Sequence, residues 1–229
     1  MALALKAQRG AMPAKPPKLK RVMSAEPYLP KRRTYSSLKK AAEHCQGCPL
    51  YKRATQTVFG EGPAHAKILF IGEQPGFQED LTGHPFVGIA GKILSQAMER
   101  AGIERSETYV TNAVKHFKYR DKGDKKIHES PNQLEIGACR PWLKAEVDLL
   151  KPQVLVCLGV SAAKAVLGKS VRLGEVRGQE MASPLGYSAV VTAHPASVVR
   201  HPTSSGRRTA MTALIQDLVR VQKACLKRK

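Results

Sequence analysis

Gly72–Gly91 reads GEQPGFQEDLTGHPFVGIAG, and its neighbours on either side decide the fold. The short apolar run Ile68–Ile71 precedes it and the amphipathic stretch Ile93–Met98 follows it, which is the layout of a strand, a loop and a helix. Its five glycines let the backbone approach a ligand closely, and Gly72 and Gly76 are the first candidates for such contacts. Glu73 and Gln74 fall at the carboxyl end of the strand, where open α/β sheets hold their ligands. The loop is therefore a candidate active site.

Outward from this loop the pattern alternates. The sequence predicts strands over Lys67–Gly72, Thr108–Val114, Val154–Leu158 and Tyr187–Ala193. Helices are expected over Thr34–Cys45 with Ser36 or Ser37 as cap, Ala90–Ala101, Asn132–Leu150, a segment capped by Ser161 and ending at Leu167, and Ser205–Ala224. Phe117–Pro131, FKYRDKGDKKIHESP, reads as a polar loop. Strands alternating with helices argue for an α/β fold in three layers: a central, mostly parallel four-stranded sheet with helices on both faces. The expected folded domain spans 34–224. Before it, residues 1–33 carry nine Lys or Arg, one acid and five prolines, a composition suited to a disordered basic arm. After it, 225–229 form a basic tail.

The charge balance narrows the partner. Lys and Arg total 38 against 18 acids, a formal net charge of +20, and the pI is about 10.0. A polyanion, most simply nucleic acid, is the expected partner. No apolar run is long enough to span a bilayer. Lys6 and Arg9 interrupt the start, which lacks the apolar core of a secretory signal. A reducing cytoplasm, in contact with the nucleoid DNA, is the expected setting. Of five cysteines, Cys45 and Cys48 form a CxxC pair, which by itself is compatible with zinc, with iron–sulfur or with dithiol chemistry.

Several chemistry-bearing residues fall at or just beyond predicted strand ends, on one rim of a parallel sheet: Glu73, Asn112, His128 and His194. Asn112 offers both a donor and an acceptor for the edge of a base. His194 is suited to supporting a developing anion, Phe86 to stacking on a base, and Lys126 to contacting a phosphate. The bland alternatives are loop caps, a core phenylalanine, and a basic loop whose His128 is inert.

The Gly72–Gly91 loop, Thr111-Asn112-Ala113-Val114-Lys115 and His194-Pro195-Ala196 resemble the signature segments of uracil-DNA glycosylases over roughly residues 41–220. With the CxxC pair they resemble the iron–sulfur, family-4 type. GEQPG, His116 in VKHFK, and Lys125-Lys126-Ile127-His128 together resemble the UdgX-type branch. This resemblance implies a Rossmann-like glycosylase fold and a 4Fe–4S cluster on Cys45, Cys48, Cys139 and His116, with Cys157 the alternative fourth ligand. It implies uracil-containing DNA as partner, single-stranded or with the uridine flipped out, and a monomer. It further implies uracil excision followed by irreversible attachment of the sugar C1′ to His128, with Glu73 as its partner. A conventional enzyme with repeated turnover and a non-catalytic uracil-binding module are the alternatives. Two departures from the branch stand out: Phe77 replaces its usual acid, and Lys125 and Lys126 replace its usual arginines.

Overall fold

The structure, a computed structural model, describes residues 23–226. In chain order its elements are α1 (Tyr35–Ala42), β1 (Ile68–Gly72), α2 (Phe77–Thr82), α3 (Ile89–Arg100), β2 (Thr108–Asn112), β3 (Tyr119–Lys122), β4 (Lys125–His128) and α4 (Gln133–Leu150). There follow β5 (Val154–Leu158), α5 (Val160–Leu167), α6 (Leu173–Val176), β6 (Glu180–Ala182), β7 (Ser188–Thr192), α7 (Ala196–Arg200) and α8 (Ser204–Leu226). No helix among the described residues is long and apolar enough to cross a membrane.

The main sheet has the order β2-β1-β5-β7-β6, parallel except for β6, which runs antiparallel to β7. It thus has five strands, not the expected four. β6 is three residues long and mostly exposed, so it lacks the apolar alternation that would announce it. The two central strands β1 and β5 have continuous apolar runs because both faces are covered, whereas β2 and β7 mix polar with apolar residues. Leu69 and Ile71 pack with Leu155 and Cys157 under α1, α4 and α5. Ile68 and Phe70, one pleat away, pack with Val154 and Val156 under α3 and α8. Alternate side chains of one strand thereby belong to two cores.

The register places the site. Gly72 of β1 pairs with Asn112 of β2, and Leu158 of β5 pairs with Thr192 of β7. The chain leaves β1 toward β2 on one side, and leaves β5 toward β7 on the other. The crevice between the carboxyl ends of β1 and β5 is therefore the switch point of the sheet.

The segment 117–131 contains an antiparallel hairpin, β3 with β4, rather than a loop throughout. Gly123 at φ 57, followed by Asp124, makes the two-residue turn that favours such hairpins. Ser161 does not cap α5: the N-cap is Gly159. Thr34, not Ser36 or Ser37, caps α1, its side chain accepting from the Ser37 N–H. Of the expected arm, residues 1–22 lie outside the described residues, whereas Met23–Arg33 lies on the domain, with Ala25 buried and its N–H donating to the Ala138 carbonyl. At the other end α8 runs to Leu226 with Cys225 buried, and 227–229 lie outside the described residues.

Candidate active site

A cavity of about 700 Å³ opens at the switch point. Its wall includes Glu73, Gln74, Gly76, Phe86, Asn112, His128 and His194, residues that come from five separate stretches of sequence. The topology brings most of the expected site residues together. Of those expected to meet the substrate, two fall elsewhere: Gly72 lies behind the wall, and Lys126 lies on the hairpin with its ammonium over the Tyr119 ring, 4.4 Å from the centroid.

Gly72 acts through its missing side chain. A Cβ there would lie 2.7 Å from the Phe86 ring and would overlap the Asn112 amide oxygen. Phe86 is itself held at φ 59, a left-handed conformation that costs about 1–3 kcal/mol at a non-glycine residue and persists only where the surroundings enforce it. Gly91 makes room for it, since a Cβ there would overlap the Phe86 carbonyl. Asn112 is anchored from below. The buried Lys115 ammonium donates to the Asn112 carbonyl at 2.9 Å and to Glu146 at 2.5 Å. Glu146 also accepts from Tyr109 and from the Gly60 N–H. The ion pair is therefore fully hydrogen-bonded, the condition under which a buried charge pair is tolerated.

His194 sits just beyond β7. Its Nδ1 accepts from the Ala196 N–H at 3.2 Å, so the ring proton resides on Nε2. Gly159, at φ 90, lets α5 approach the imidazole, since a Cβ would come within 3.2 Å of the His194 Cβ. Burial pushes the His194 pKa down to about 4, with Glu73 opposing and Arg200 and His128 assisting. A neutral N–H donor results, suited to an anion that develops only during reaction.

Glu73 is held between two partners. Ser161 Oγ donates to its Oε2, and its Oε1 lies 3.5 Å from His128 Nε2. That second separation is longer than a good hydrogen bond. The His128 side chain is 47% exposed while that of Glu73 is 17% exposed. Ser161 was expected as a cap; it is a carboxylate anchor instead, placed by α5 at the same rim.

Gln74 lines the cavity, yet its amide is engaged elsewhere. Its Nε2 donates to the carbonyls of Lys118 and Glu129, and its Oε1 accepts from the Lys118 N–H, at 2.9–3.1 Å. These are the two ends of the β3–β4 hairpin, so Gln74 is the clasp that docks the His128-bearing hairpin on β1. Gly76 likewise has its N–H taken by Glu79 at 3.0 Å.

Behind β2 lie Cys45, Cys48, Cys139 and His116, all buried. Trp142 Nε1–H donates to Cys45 Sγ at 3.2 Å and the Lys115 N–H to Cys139 Sγ at 3.3 Å. Burial pushes Cys139 up to about 12, with Cys48 and Cys45 adding to this and Lys115 opposing. His116 Nε2 hydrogen-bonds Thr57 Oγ1 at 2.9 Å. Cys157 is packed in β5 among apolar residues. Among the described residues, no three His, Cys, Asp or Glu side chains are arranged to hold one ion. A single zinc needs its ligands about 2.0–2.3 Å from one point, whereas a cluster distributes them over separate irons. Buried thiols that receive N–H donors suit thiolate ligands of either kind.

The family model of the uracil DNA glycosylase superfamily matches residues 59–219. The chain is 35% identical over 171 residues to the type-4 uracil-DNA glycosylase of Pyrobaculum aerophilum, covering 72% of this chain and 84% of that protein. It is 34% identical over 168 residues to that of Thermotoga maritima, with coverage of 73% and 84%. It is 36% identical over 166 residues to that of Saccharolobus solfataricus, with coverage of 69% and 74%. With these matches on the rim geometry described above, the chain belongs to the uracil-DNA glycosylase superfamily.

Proposed function

We propose that this protein excises uracil from DNA and that His128 then retains the DNA by a covalent bond. The observation that carries the proposal is the juxtaposition of His128 with the anchored carboxylate of Glu73, 3.5 Å apart, in the cavity that also holds Phe86, Asn112 and His194. A uridine must leave the stack, or come from single-stranded DNA, to reach such a cavity. Phe86 stacks on the uracil and Asn112 pairs with its polar edge. The C1′–N1 bond breaks, its electron pair leaves with the uracil, and His194 Nε2–H stabilises the resulting anion. One imidazole nitrogen of His128 gives its lone pair to C1′, and the proton on the other nitrogen passes toward Glu73. The 3.5 Å separation then shortens on binding, as catalytic contacts commonly do.

The conventional reading, with water as the acceptor and repeated turnover, has its own support: the ring of His128 is half open to solvent, and Glu73 is equally placed to orient water. A uracil-containing oligonucleotide followed by denaturing electrophoresis separates the readings. A shifted band resistant to heat and detergent is expected, and His128→Ser should replace it with an abasic product. An abasic product from the unaltered protein supports the conventional reading. Unmodified DNA would indicate a binding module.

Cys45, Cys48, Cys139 and His116 are the residues that would hold a 4Fe–4S cluster. Bound there, it would tie the CxxC loop to α4 and to the end of β2, and would keep the thiols ionised despite their burial. Iron and sulfide analysis of the purified protein, with loss of visible absorption in Cys139→Ser, tests this. We further propose a monomer acting on DNA in the cytoplasm, with the basic chain following the phosphates.

A further inference from the structure

The rim of the cavity carries an exposed apolar step that uracil recognition leaves unused. Phe77 is 44% exposed and Ile89 is 65% exposed, and both line the cavity mouth. Three of the other four phenylalanines, Phe59, Phe70 and Phe117, are buried, and Phe86 is half-buried. The exposed one therefore stands where a ligand enters. The step is rigidly built. Each apolar residue directly follows a glycine whose N–H is bound by the same buried carboxylate: Glu79 accepts from Gly76 at 3.0 Å and from Gly88 at 2.7 Å. This bridge fixes the first residue of α2 beside the first residue of α3. A cation completes the arrangement, with Lys126 Nζ 6.0 Å from the Phe77 ring centroid.

An exposed aromatic ring, a branched apolar neighbour and an ammonium group are the parts of a stacking platform for a nucleotide, the base on the ring and the phosphate at the cation. We propose that Phe77, Ile89 and Lys126 form a subsite for the nucleotide next to the uridine on the same strand. This rests on the reading of the cavity as a uracil site, with which the step is continuous. The platform holds the neighbouring base out of the duplex stack while the uridine occupies the cavity. It predicts a preference for single-stranded or frayed DNA, since a paired neighbour is not free to stack there.

The test is a cycle between protein and DNA. Oligonucleotides carry deoxypseudouridine, whose C–C glycosidic bond does not break, flanked by ordinary nucleotides or by an abasic spacer on the 5′ or the 3′ side. Affinity is read by fluorescence anisotropy for the unaltered protein, Phe77→Ala and Phe77→Trp. Removing one of the two neighbouring bases should weaken binding to the unaltered protein by about tenfold, within the range for one aromatic–base stack. The same removal should cost Phe77→Ala less than about twofold, and Phe77→Trp should restore the full loss. Equal losses in all three proteins, or no loss at either position, would overturn the subsite and leave Phe77 as packing for Lys126. Uracil release from an ordinary uracil oligonucleotide, measured in parallel, reports on the cavity reading separately. Release without coupling sinks only the subsite, whereas no release from any of the proteins sinks the reading beneath it.

Discussion

Two histidines face the same cavity from supports of very different stiffness. His194 follows a central strand, is half-buried, has its tautomer fixed by a backbone N–H, and is kept neutral by burial. His128 ends a two-stranded hairpin, is nearly half exposed, and meets its carboxylate at a distance longer than a hydrogen bond. The contrast matches two kinds of work. A donor that must await a charge not yet formed gains from being immobile before the reaction. A group that must itself form a bond to a moving sugar carbon needs some freedom to follow it. In the proposed function the rigid wall serves base release and the hairpin serves capture of the sugar.

The largest expected effect falls on the rigid wall. His194→Ala removes the N–H proposed to meet the departing base and should slow uracil release by about 10²–10³-fold, measured under single-turnover conditions. A smaller loss would mean that the two walls share the charge. Next is a pH effect confined to the same residue. The His194 pKa is about 4 when folded, against 6.5 for an ordinary histidine, so only the unfolded chain takes up the proton between these values. The stability contributed is complete above about pH 6.5 and is lost as pH falls toward 4. The loss is at most about 3 kcal/mol, because part of the ring remains open to solvent. Urea titrations at pH 7 and pH 5 should show a larger fall for the unaltered protein than for His194→Asn; equal falls would remove burial as the cause of its neutrality. The smallest effect belongs to the adjustable wall. Gln74→Ala frees both ends of the hairpin and should slow formation of the heat-resistant DNA band by about tenfold, the equivalent of about one of its three neutral hydrogen bonds, with water replacing the others. Uracil release should change less. If both rates fall together, the hairpin is part of the rigid wall and the contrast dissolves.

How far the chain could be read follows the same division. The sheet was legible because strands covered on both faces are continuously apolar, as in Leu155 and Val156, and because Glu73, Asn112 and His194 stand next to such runs. The hairpin was not, because Arg120, Asp121, Lys122, Asp124, Lys125 and Lys126 hide its periodicity; only Gly123-Asp124 marks the turn. α2 was missed because it is a six-residue helix inside a glycine-rich loop, ended by Gly83 at φ 77. The uses of Gln74 and Ser161 depend on partners 44 and 88 residues away, which no local pattern encodes. Phe77 and Lys126, two separate departures from the family pattern in sequence, prove to be neighbours in space.

The Phe86 ring and the Asn112 amide both close in on the bare α-carbon of Gly72. Even one methyl group at that position would act as a wedge, pushing both from their places. The room for a base in the proposed function is thus set by the absence of an atom, and any selection there is a property of the backbone as much as of the groups that would touch the ligand.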